Sequence, residues 1–208
     1  MQVIVFSWEY PPRIVGKLSN YVKTLATQLM KYQTQPYVVT YHDYLVGEHN
    51  DSNGVKTFWV TNPVRTHIGV LTWVLTLNQE VERVAADIYY DKKKQIDLID
   101  VHDWHFIPAA TTLKKALGIP FVYSVESLED QRSHAANTPF NMAIKSIEWL
   151  GTYEAQQLVV KSAWMRDEVQ RSYKTPREKL SIVLPDSNGW LKETLKIYEN
   201  AAEKGAEA

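Results

Sequence analysis

The 208-residue sequence is 45% hydrophobic and 23% charged, carries a formal net charge of −1 and contains no cysteine. This balance is typical of one soluble globular domain and argues against disorder and against an electrostatic nucleic-acid surface. The lack of cysteine excludes disulfides, thiolate metal sites and a cysteine nucleophile, so the cytoplasm is the simplest expected location.

The N-terminal segment predicts a first βα unit. Residues 3–7 form a continuous apolar run, which is typical of a parallel strand covered on both faces. The loop PPRIVGKLSN follows, and Ser19 is predicted to cap a helix with apolar residues at helical spacing on one face. The apolar start is short and lacks a basic segment before it, so we expect no signal peptide.

The rest of the chain alternates between short apolar runs and segments of helical periodicity. Ser162 is predicted to cap one helix, Gly118 to end another, and the turn-rich segment 48–54 to form a loop. This alternation predicts a doubly wound α/β fold, with a mostly parallel sheet and helices on both faces. No apolar run is long enough to predict a membrane span. The predicted strands are 36–41, 55–60, 96–101, 119–125, 158–160 and 180–184, and the predicted helices are 68–90, 106–117, 139–152, 163–173 and 190–204.

Polar side chains follow four of the predicted strands. In open α/β sheets ligands bind beyond the carboxyl ends of the strands, so we expect these residues to line one crevice. They are Trp8, Glu9, Arg13, Gly16 and Lys17 in the first group, His102, Asp103, Trp104 and His105 in the second, Glu126, Glu129 and Arg132 in the third, and Lys161 and Ser162 in the fourth.

The chemistry of these groups allows several interpretations. Around Gly16, backbone amides at a helix start could meet a phosphate, or the loop could be only a turn. Residues 102–105 (HDWH) could hold a metal, bind sugar hydroxyls beside a stacking tryptophan, or simply end a strand. Against the metal, the sequence has no further histidine cluster near a strand end apart from His42 and Asp43. Glu126 and Glu129 could be an acid–base pair for glycoside hydrolysis or ordinary surface carboxylates.

Five blocks of sequence resemble, in order and spacing, the N-terminal domain of GT-B glycosyltransferases of families 4 and 5, and most of all archaeal glycogen synthase-like proteins. The resemblance implies one Rossmann-like half of a two-domain retaining glucosyltransferase. In such enzymes this half holds the acceptor glucan, and a second domain binds ADP- or UDP-glucose without a metal or other cofactor. The blocks are SWEYPPRIVG at 7–16, VHDWHFIPA at 101–109, IPFVYSVESLEDQRS at 119–133, IEWLGTYEAQQLVVKSAWMRDEV at 147–169 and KLSIVLP at 179–185.

The resemblance also implies a domain plan. Residues 1–185 would be the acceptor domain, residues 186–189 would replace an excised donor domain, and residues 190–208 would be a helix that returns to the first domain. We therefore expect the chain to bind an α-glucan or another sugar acceptor and to be inactive alone. The alternative is a split or engineered scaffold that self-associates through its exposed cleft face.

Site residues are carried over from the family position by position, and two of them depart from its pattern. Lys17 stands where the family usually has a second glycine, and Glu126 stands where it usually has histidine. No catalytic or metal-binding residue is assigned. The loop expected to face the donor phosphate contains Arg13, Gly16 and Lys17, and the expected sugar cleft contains Trp8, Glu9, His102, Asp103, Trp104, Glu126, Glu129 and Arg132.

Overall fold

The computed structural model describes residues 1–185 and 187–206. Asp186, in the predicted linker, and Glu207 and Ala208, at the end of the predicted final helix, lie outside the described residues. The strands are β1 Gln2–Ser7, β2 Gln35–Tyr41, β3 Gly47–Asn50, β4 Lys56–Val60, β5 Leu98–His102, β6 Phe121–Ser124, β7 Gln157–Val160 and β8 Leu180–Ile182. The helices are α1 Lys17–Lys31, α2 Val70–Asp91, α3 Ile107–Leu117, α4 Glu129–Arg132, α5 Pro139–Glu154, α6 Ala163–Tyr173 and α7 Trp190–Ala206, with 3-10 turns at Trp104–Phe106 and Arg177–Lys179.

The strands of the described residues form one sheet in the order β3-β4-β2-β1-β5-β6-β7-β8. Every neighbouring pair is parallel except β3 and β4, which are antiparallel at one edge. The chain runs outward from β1 in one direction to β2 and later in the other direction to β5. The predicted doubly wound, mostly parallel α/β fold is confirmed, and its strand order reverses between β1 and β5.

Alternate residues of the central strands point into two separate hydrophobic layers. On β1, Ile4 and Phe6 belong to the layer that includes residues of α2, α3 and α6, whereas Val3 and Val5 belong to the layer that includes residues of α1 and α7. All four side chains are fully buried. Both faces of the sheet are therefore covered, which explains why the central strands read as continuous apolar runs.

Helix α7 belongs to the same layer as α1. Its buried residues Leu191, Ile197, Tyr198 and Ala201 pack on the sheet face that α1 also covers. Near its end, a Cβ added to Gly205 would lie 2.5 Å from Pro120, so the helix approaches the start of β6 very closely. No helix among the described residues combines the length and the apolar character needed to cross a bilayer.

Two local predictions are wrong, two are confirmed, and one short helix was not predicted. Ser19 does not cap α1, because the helix begins two residues earlier with Gly16 as its N-cap, and the Ser19 hydroxyl donates to Gly16 O at 3.1 Å. The predicted loop 48–54 contains part of β3, and the loop after β6 contains α4. Ser162 does cap α6 by accepting a bond from the Met165 amide, and Gly118 ends α3 at positive φ.

Candidate functional site

The four polar segments meet at the carboxyl edge of the sheet, around the point where the strand order reverses. The segments after β1 and β5 leave the sheet side by side, since Ser7 pairs with His102 at the strand ends. The ends of β6 and β7 follow next in the sheet, with Ser124 paired to Val159. The structure therefore brings the sequence-predicted residues to one crevice, where α/β proteins of this kind bind ligands.

The loop before α1 is held by hydrogen bonds from its backbone amides to the carboxylate of Glu9. Glu9 Oε2 accepts the backbone amides of Val15 at 2.7 Å and Gly16 at 2.6 Å. Glu9 is buried, and the Ser7 hydroxyl donates to its carbonyl oxygen at 2.6 Å. Gly16 is the N-cap of α1 and Val15 precedes it, so Glu9 already occupies part of the set of backbone donors that an anion at the helix start would use. Lys17 follows as the first, exposed residue of the helix.

A row of stacked side chains crosses the crevice between β1, β2 and β5. The Trp8 ring stacks on His105 at 4.8 Å between centroids, and His105 stacks on Trp104 at 4.5 Å. On the other side of Trp8, the Arg13 guanidinium lies 4.9 Å from the Trp8 ring and 4.8 Å from the Tyr41 ring. Trp104 and His105 are buried, so Trp8 is the member of the three aromatic rings that remains partly open to a ligand.

His102 is the centre of a buried hydrogen-bond network. Its Nε2 lies 3.0 Å from Asp100 Oδ2, and its Nδ1 lies 3.3 Å from Glu126 Oε1. Asp100 also accepts bonds from the hydroxyls of Ser124, at 3.2 Å, and Tyr198 of helix α7. His102 is fully buried with both ring nitrogens engaged, so it supports the crevice from below and presents no free nitrogen to it.

The network favours the charged form of His102. Burial alone would lower the pKa of His102, but attraction by Asp100 and hydrogen bonds to Asp100 and Glu126 raise the pKa to about 9. Burial opposes ionisation of Glu126 too, yet its hydrogen bond to His102 and the charge of Lys161 lower the pKa of that carboxyl. Lys161 donates to Glu126 Oε2, and its ammonium lies 4.0 Å from the Tyr21 ring centroid. The Glu126–Lys161 pair is therefore the part of this network that reaches the ligand side.

This pair lines a small pocket next to the start of α1. The pocket has a volume of about 460 Å³, and Lys17, Tyr21, Glu126 and Lys161 are among its lining residues. Lys17 is thus placed beside Glu126 and Lys161, on the same side of the crevice. The two positions at which the sequence departs from the family pattern, Lys17 and Glu126, share one pocket.

A second charge network surrounds Arg132, which is exposed and reaches the buried carboxylates of Glu129 and Glu148. Its Nη2 donates to Glu148 Oε1 at 2.6 Å, and its Nε donates to Glu129 Oε2 at 3.1 Å. The other Glu129 oxygen accepts from Asn141 at 2.6 Å. Burial raises the pKa of Glu148 even though Arg132 opposes the shift. Glu129 is therefore held by Arg132 and Asn141, in a different network from Glu126.

Asp103 has three features that are common at functional sites. Its backbone adopts φ 65° and ψ 176°, which is a strained conformation for a residue other than glycine. Its Oδ1 is buried without a hydrogen-bond partner among the described residues. Burial raises the pKa of Asp103 to about 7 despite the nearby Arg132, whereas burial and the charges of Arg132 and Arg13 lower the pKa of His105 to about 3. His105 is therefore neutral, and its 3.6 Å contact with Asp103 is not an ion pair.

Residues 102–105 also bear on metal binding. Within the part of the chain that the structure describes, no group of three or more histidine, aspartate or glutamate side chains is arranged to hold a metal ion. The two imidazoles are used otherwise, because His102 bonds to carboxylates and His105 lies between two tryptophan rings.

Sequence reasoning missed three of the groups that hold the site together. Glu148 and Tyr198 lie within predicted helices, and nothing in the local pattern distinguishes them from other polar residues. Asp100 did carry a signal, since a carboxylate inside the apolar run IDLIDV must be buried and therefore needs partners.

The comparisons with known proteins decide the family. The family model described as Glycosyltransferase Family 4 matches residues 18–185. The chain belongs to glycosyltransferase family 4. An uncharacterized glycosyltransferase of Methanocaldococcus jannaschii is 33% identical over 192 residues, which cover 91% of this chain and 47% of that protein. A glycogen synthase of Mycobacterium tuberculosis is 25% identical over 191 residues, covering 81% of this chain and 44% of that protein.

Solved structures share the fold of this family 4 chain at low sequence identity. Sucrose-phosphate synthase from Thermosynechococcus elongatus matches with a TM-score of 0.71 and 16% identity, over 90% of this chain and 48% of that one. A form of that synthase labelled 27_220_406_426 matches with a TM-score of 0.64 and 13% identity, over 98% of this chain and 99% of that one. Starch synthase IV from Arabidopsis thaliana, bound to ADP and acarbose, matches with a TM-score of 0.56 and 14% identity, over 96% of this chain and 50% of that one. The chain spans about half the length of the curated relatives it matches.

Proposed function

We propose that this family 4 chain is the acceptor-binding half of a glycogen synthase-like retaining glucosyltransferase. The full enzyme would transfer glucose from ADP- or UDP-glucose to an α-1,4-glucan in the cytoplasm. The observation that carries this proposal is the convergence of Trp8, Asp103, Glu126 and Arg132 near the point where the strand order reverses. The similarity to a glycogen synthase over 81% of the chain supports the choice of reaction.

The crevice has the chemistry that a sugar acceptor needs. Trp8 is partly exposed and its ring is held between His105 and Arg13, so the part of the ring that these contacts leave open can contact a sugar. Elsewhere along the same edge of the sheet, Glu126 and Lys161 line a pocket and can accept from and donate to sugar hydroxyls. A few fixed polar groups around an aromatic surface are the usual composition of a small-ligand site.

We also propose that the chain does not transfer glucose alone. Transfer requires preorganised positive charge at the leaving phosphate, and the amides of Val15 and Gly16 are already occupied by Glu9. In this proposal residues 1–185 form the acceptor domain, residues 186–189 take the place of a donor domain, and residues 190–208 form the returning helix. The match to nearly the whole of the 27_220_406_426 form supports a one-domain arrangement.

Tryptophan fluorescence tests the acceptor site. Adding a maltooligosaccharide at millimolar concentration should change the emission of the unmodified chain, and Trp8→Phe should remove most of that change. Trp149→Phe is the matched control, because Trp149 is a half-exposed residue of α5 that stacks on Tyr153 instead. No response of the unmodified chain, or an equal loss in both variants, would contradict the proposed site. Glucose transfer from ADP-glucose by this chain alone would overturn the proposed inactivity.

A second candidate function, a scaffold that self-associates through the cleft face, is favoured by one observation. Large apolar side chains are exposed in the loops after β1, β2 and β4, including Ile14, Val15, Tyr44 and Ile68. Sedimentation at several concentrations separates the candidates. Monomeric behaviour with oligosaccharide binding supports the acceptor domain, and dimerisation that is indifferent to sugar supports the scaffold.

A further inference from the structure

A separate pocket of about 580 Å³ lies at the carboxyl ends of β2 and β4, on the far side of Arg13 from the crevice. Its lining includes the aromatic residues Tyr41, Tyr44 and Trp73 and the nitrogen-bearing residues Arg65 and His67. The volume is within the range of small-ligand sites, and the combination of rings with a few polar groups is typical of them. Tyr41 also contacts Arg13 at the crevice, and the other four residues lie outside the proposed crevice site.

The walls of this pocket are held in place by contacts within the chain itself. The Trp73 ring meets the Tyr41 ring edge-on at 4.8 Å. Asn62 donates from Nδ2 to Trp73 O at 2.7 Å and accepts from the Val64 amide at 3.0 Å. These bonds tie the segment leading to Arg65 onto helix α2, so the pocket is formed before a ligand arrives.

The charges in the pocket are unbalanced. Arg65 and His67 make no hydrogen bond or ion pair with any residue of the described ranges 1–185 and 187–206. Asp43 is the one carboxylate among the lining residues, and it is already engaged by Arg13 at 3.4 Å and by the Tyr41 hydroxyl at 3.0 Å. Among the described residues, the hydrogen-bond donors of Arg65 and His67 are therefore free on the pocket wall, because the one carboxylate that lines the pocket with them is paired with Arg13.

We propose that this pocket binds an anionic monosaccharide, meaning a sugar phosphate or a sugar acid. Arg65 would bind the anionic group in the two-pronged geometry that guanidinium offers to phosphate and carboxylate, with His67 beside it. The sugar ring would lie on Tyr44, whose side chain is 87% exposed. The site goes beyond the proposed transfer reaction and does not depend on it.

Calorimetric titration with glucose 6-phosphate, glucuronate, inorganic phosphate and glucose tests this site. The unmodified chain should bind at least one of the two anionic sugars tenfold or more tightly than glucose, and the comparison of the two identifies the anion. Arg65→Ala should weaken that binding about tenfold, as expected for a lost bond to a charged group. The matched control is Arg177→Ala, which removes an exposed arginine from the turn preceding β8 and should leave binding unchanged.

Tyr44→Ala separates the sugar from its charge. This variant should weaken binding of the anionic sugar while leaving binding of inorganic phosphate unchanged. Because the Tyr44 side chain is highly exposed, its removal should not unfold the chain, so misfolding would not explain the weaker binding. Equal affinity for glucose and the anionic sugars, equal loss in Arg65→Ala and Arg177→Ala, or no binding of either anionic sugar at millimolar concentration would overturn the proposal. None of these results changes the oligosaccharide response expected at Trp8, so the two proposals fail separately.

Discussion

The two sides of the carboxyl edge are built differently. Beneath the crevice, His102 is fully buried between Asp100 and Glu126, and Arg132, itself exposed, pairs with the fully buried Glu148. At the pocket above β2 and β4, Arg65 and His67 are unpaired among the described residues, and the loops around them are exposed. The crevice charges therefore stabilise the fold and can also contact a ligand, whereas the pocket residues can be changed with little effect on folding. Four predictions test the crevice side of this comparison, from the largest expected effect to the smallest.

Removing the Arg132 charge should have the largest effect. In Arg132→Leu, the fully buried Glu148 loses its ion-pair partner, and we expect the free energy of unfolding to fall by about 3–5 kcal/mol. Urea denaturation followed by circular dichroism measures this loss. Arg171→Leu is the control, because its ion pair with Glu168 is exposed and should leave no resolvable change. Equal losses in the two variants would show that the crevice charges are not needed for folding.

Because His102 is protonated in the folded chain, the free energy of unfolding should fall as the pH rises into the alkaline range. Its pKa is about 9 in the folded chain against an ordinary 6.5, so its stabilisation is complete below pH 6.5 and is lost as the pH rises through 9. We expect this group to contribute a loss of about 3 kcal/mol over that window. Denaturation at a series of pH values should show this fall in the unmodified chain. A variant carrying both His102→Gln and Asp100→Asn should lack it, and an identical slope in the two proteins would contradict the prediction.

The hydroxyl of Tyr198 should connect helix α7 to the crevice network. Tyr198→Phe removes a hydrogen bond to the buried carboxylate of Asp100, and we expect a loss of about 1.5–2 kcal/mol in the free energy of unfolding. Tyr153→Phe is the control, since Tyr153 is exposed on α5. Chemical denaturation of both variants measures the difference. If both hydroxyls can be removed at no cost, α7 is held by apolar packing alone.

The smallest effect is expected at Lys17, on the exposed rim of the crevice. Lys17→Gly restores the glycine that the family pattern has at this position, and the free energy of unfolding should change by less than about 0.5 kcal/mol. Donor binding should not appear in this variant, because Glu9 still occupies the neighbouring loop amides. Tight ADP-glucose binding by Lys17→Gly would show that the lysine alone blocks the donor.

The fold was predictable because its main elements have strong local signals. Buried parallel strands read as apolar runs, and helices such as α6 carry a cap and a periodic apolar face. β3 could not be predicted, since its four residues are all exposed and polar or glycine, and only pairing with β4 makes them a strand. α4 is a single turn, too short for periodicity to reveal. The start of α1 was misplaced because Ser19 has the residue type of a cap although Gly16 has the backbone conformation.

The location of the candidate site was predictable, but the hydrogen-bond partners of its side chains were not. The carboxyl ends of parallel strands meet at one edge, so the segments after β1, β5, β6 and β7 had to lie close together. The partners of each side chain depend on contacts between distant parts of the chain. His102 and Glu126 are 24 residues apart, and Tyr198 and Asp100 are 98 residues apart, so no local pattern could pair them.

Side-by-side calorimetry with a maltooligosaccharide and with ADP-glucose tests most directly the central claim that the chain is an acceptor half without donor function. The account predicts that the unmodified chain binds the oligosaccharide in the millimolar range and shows no heat with ADP-glucose. Tight binding of ADP-glucose together with no binding of the oligosaccharide would contradict it.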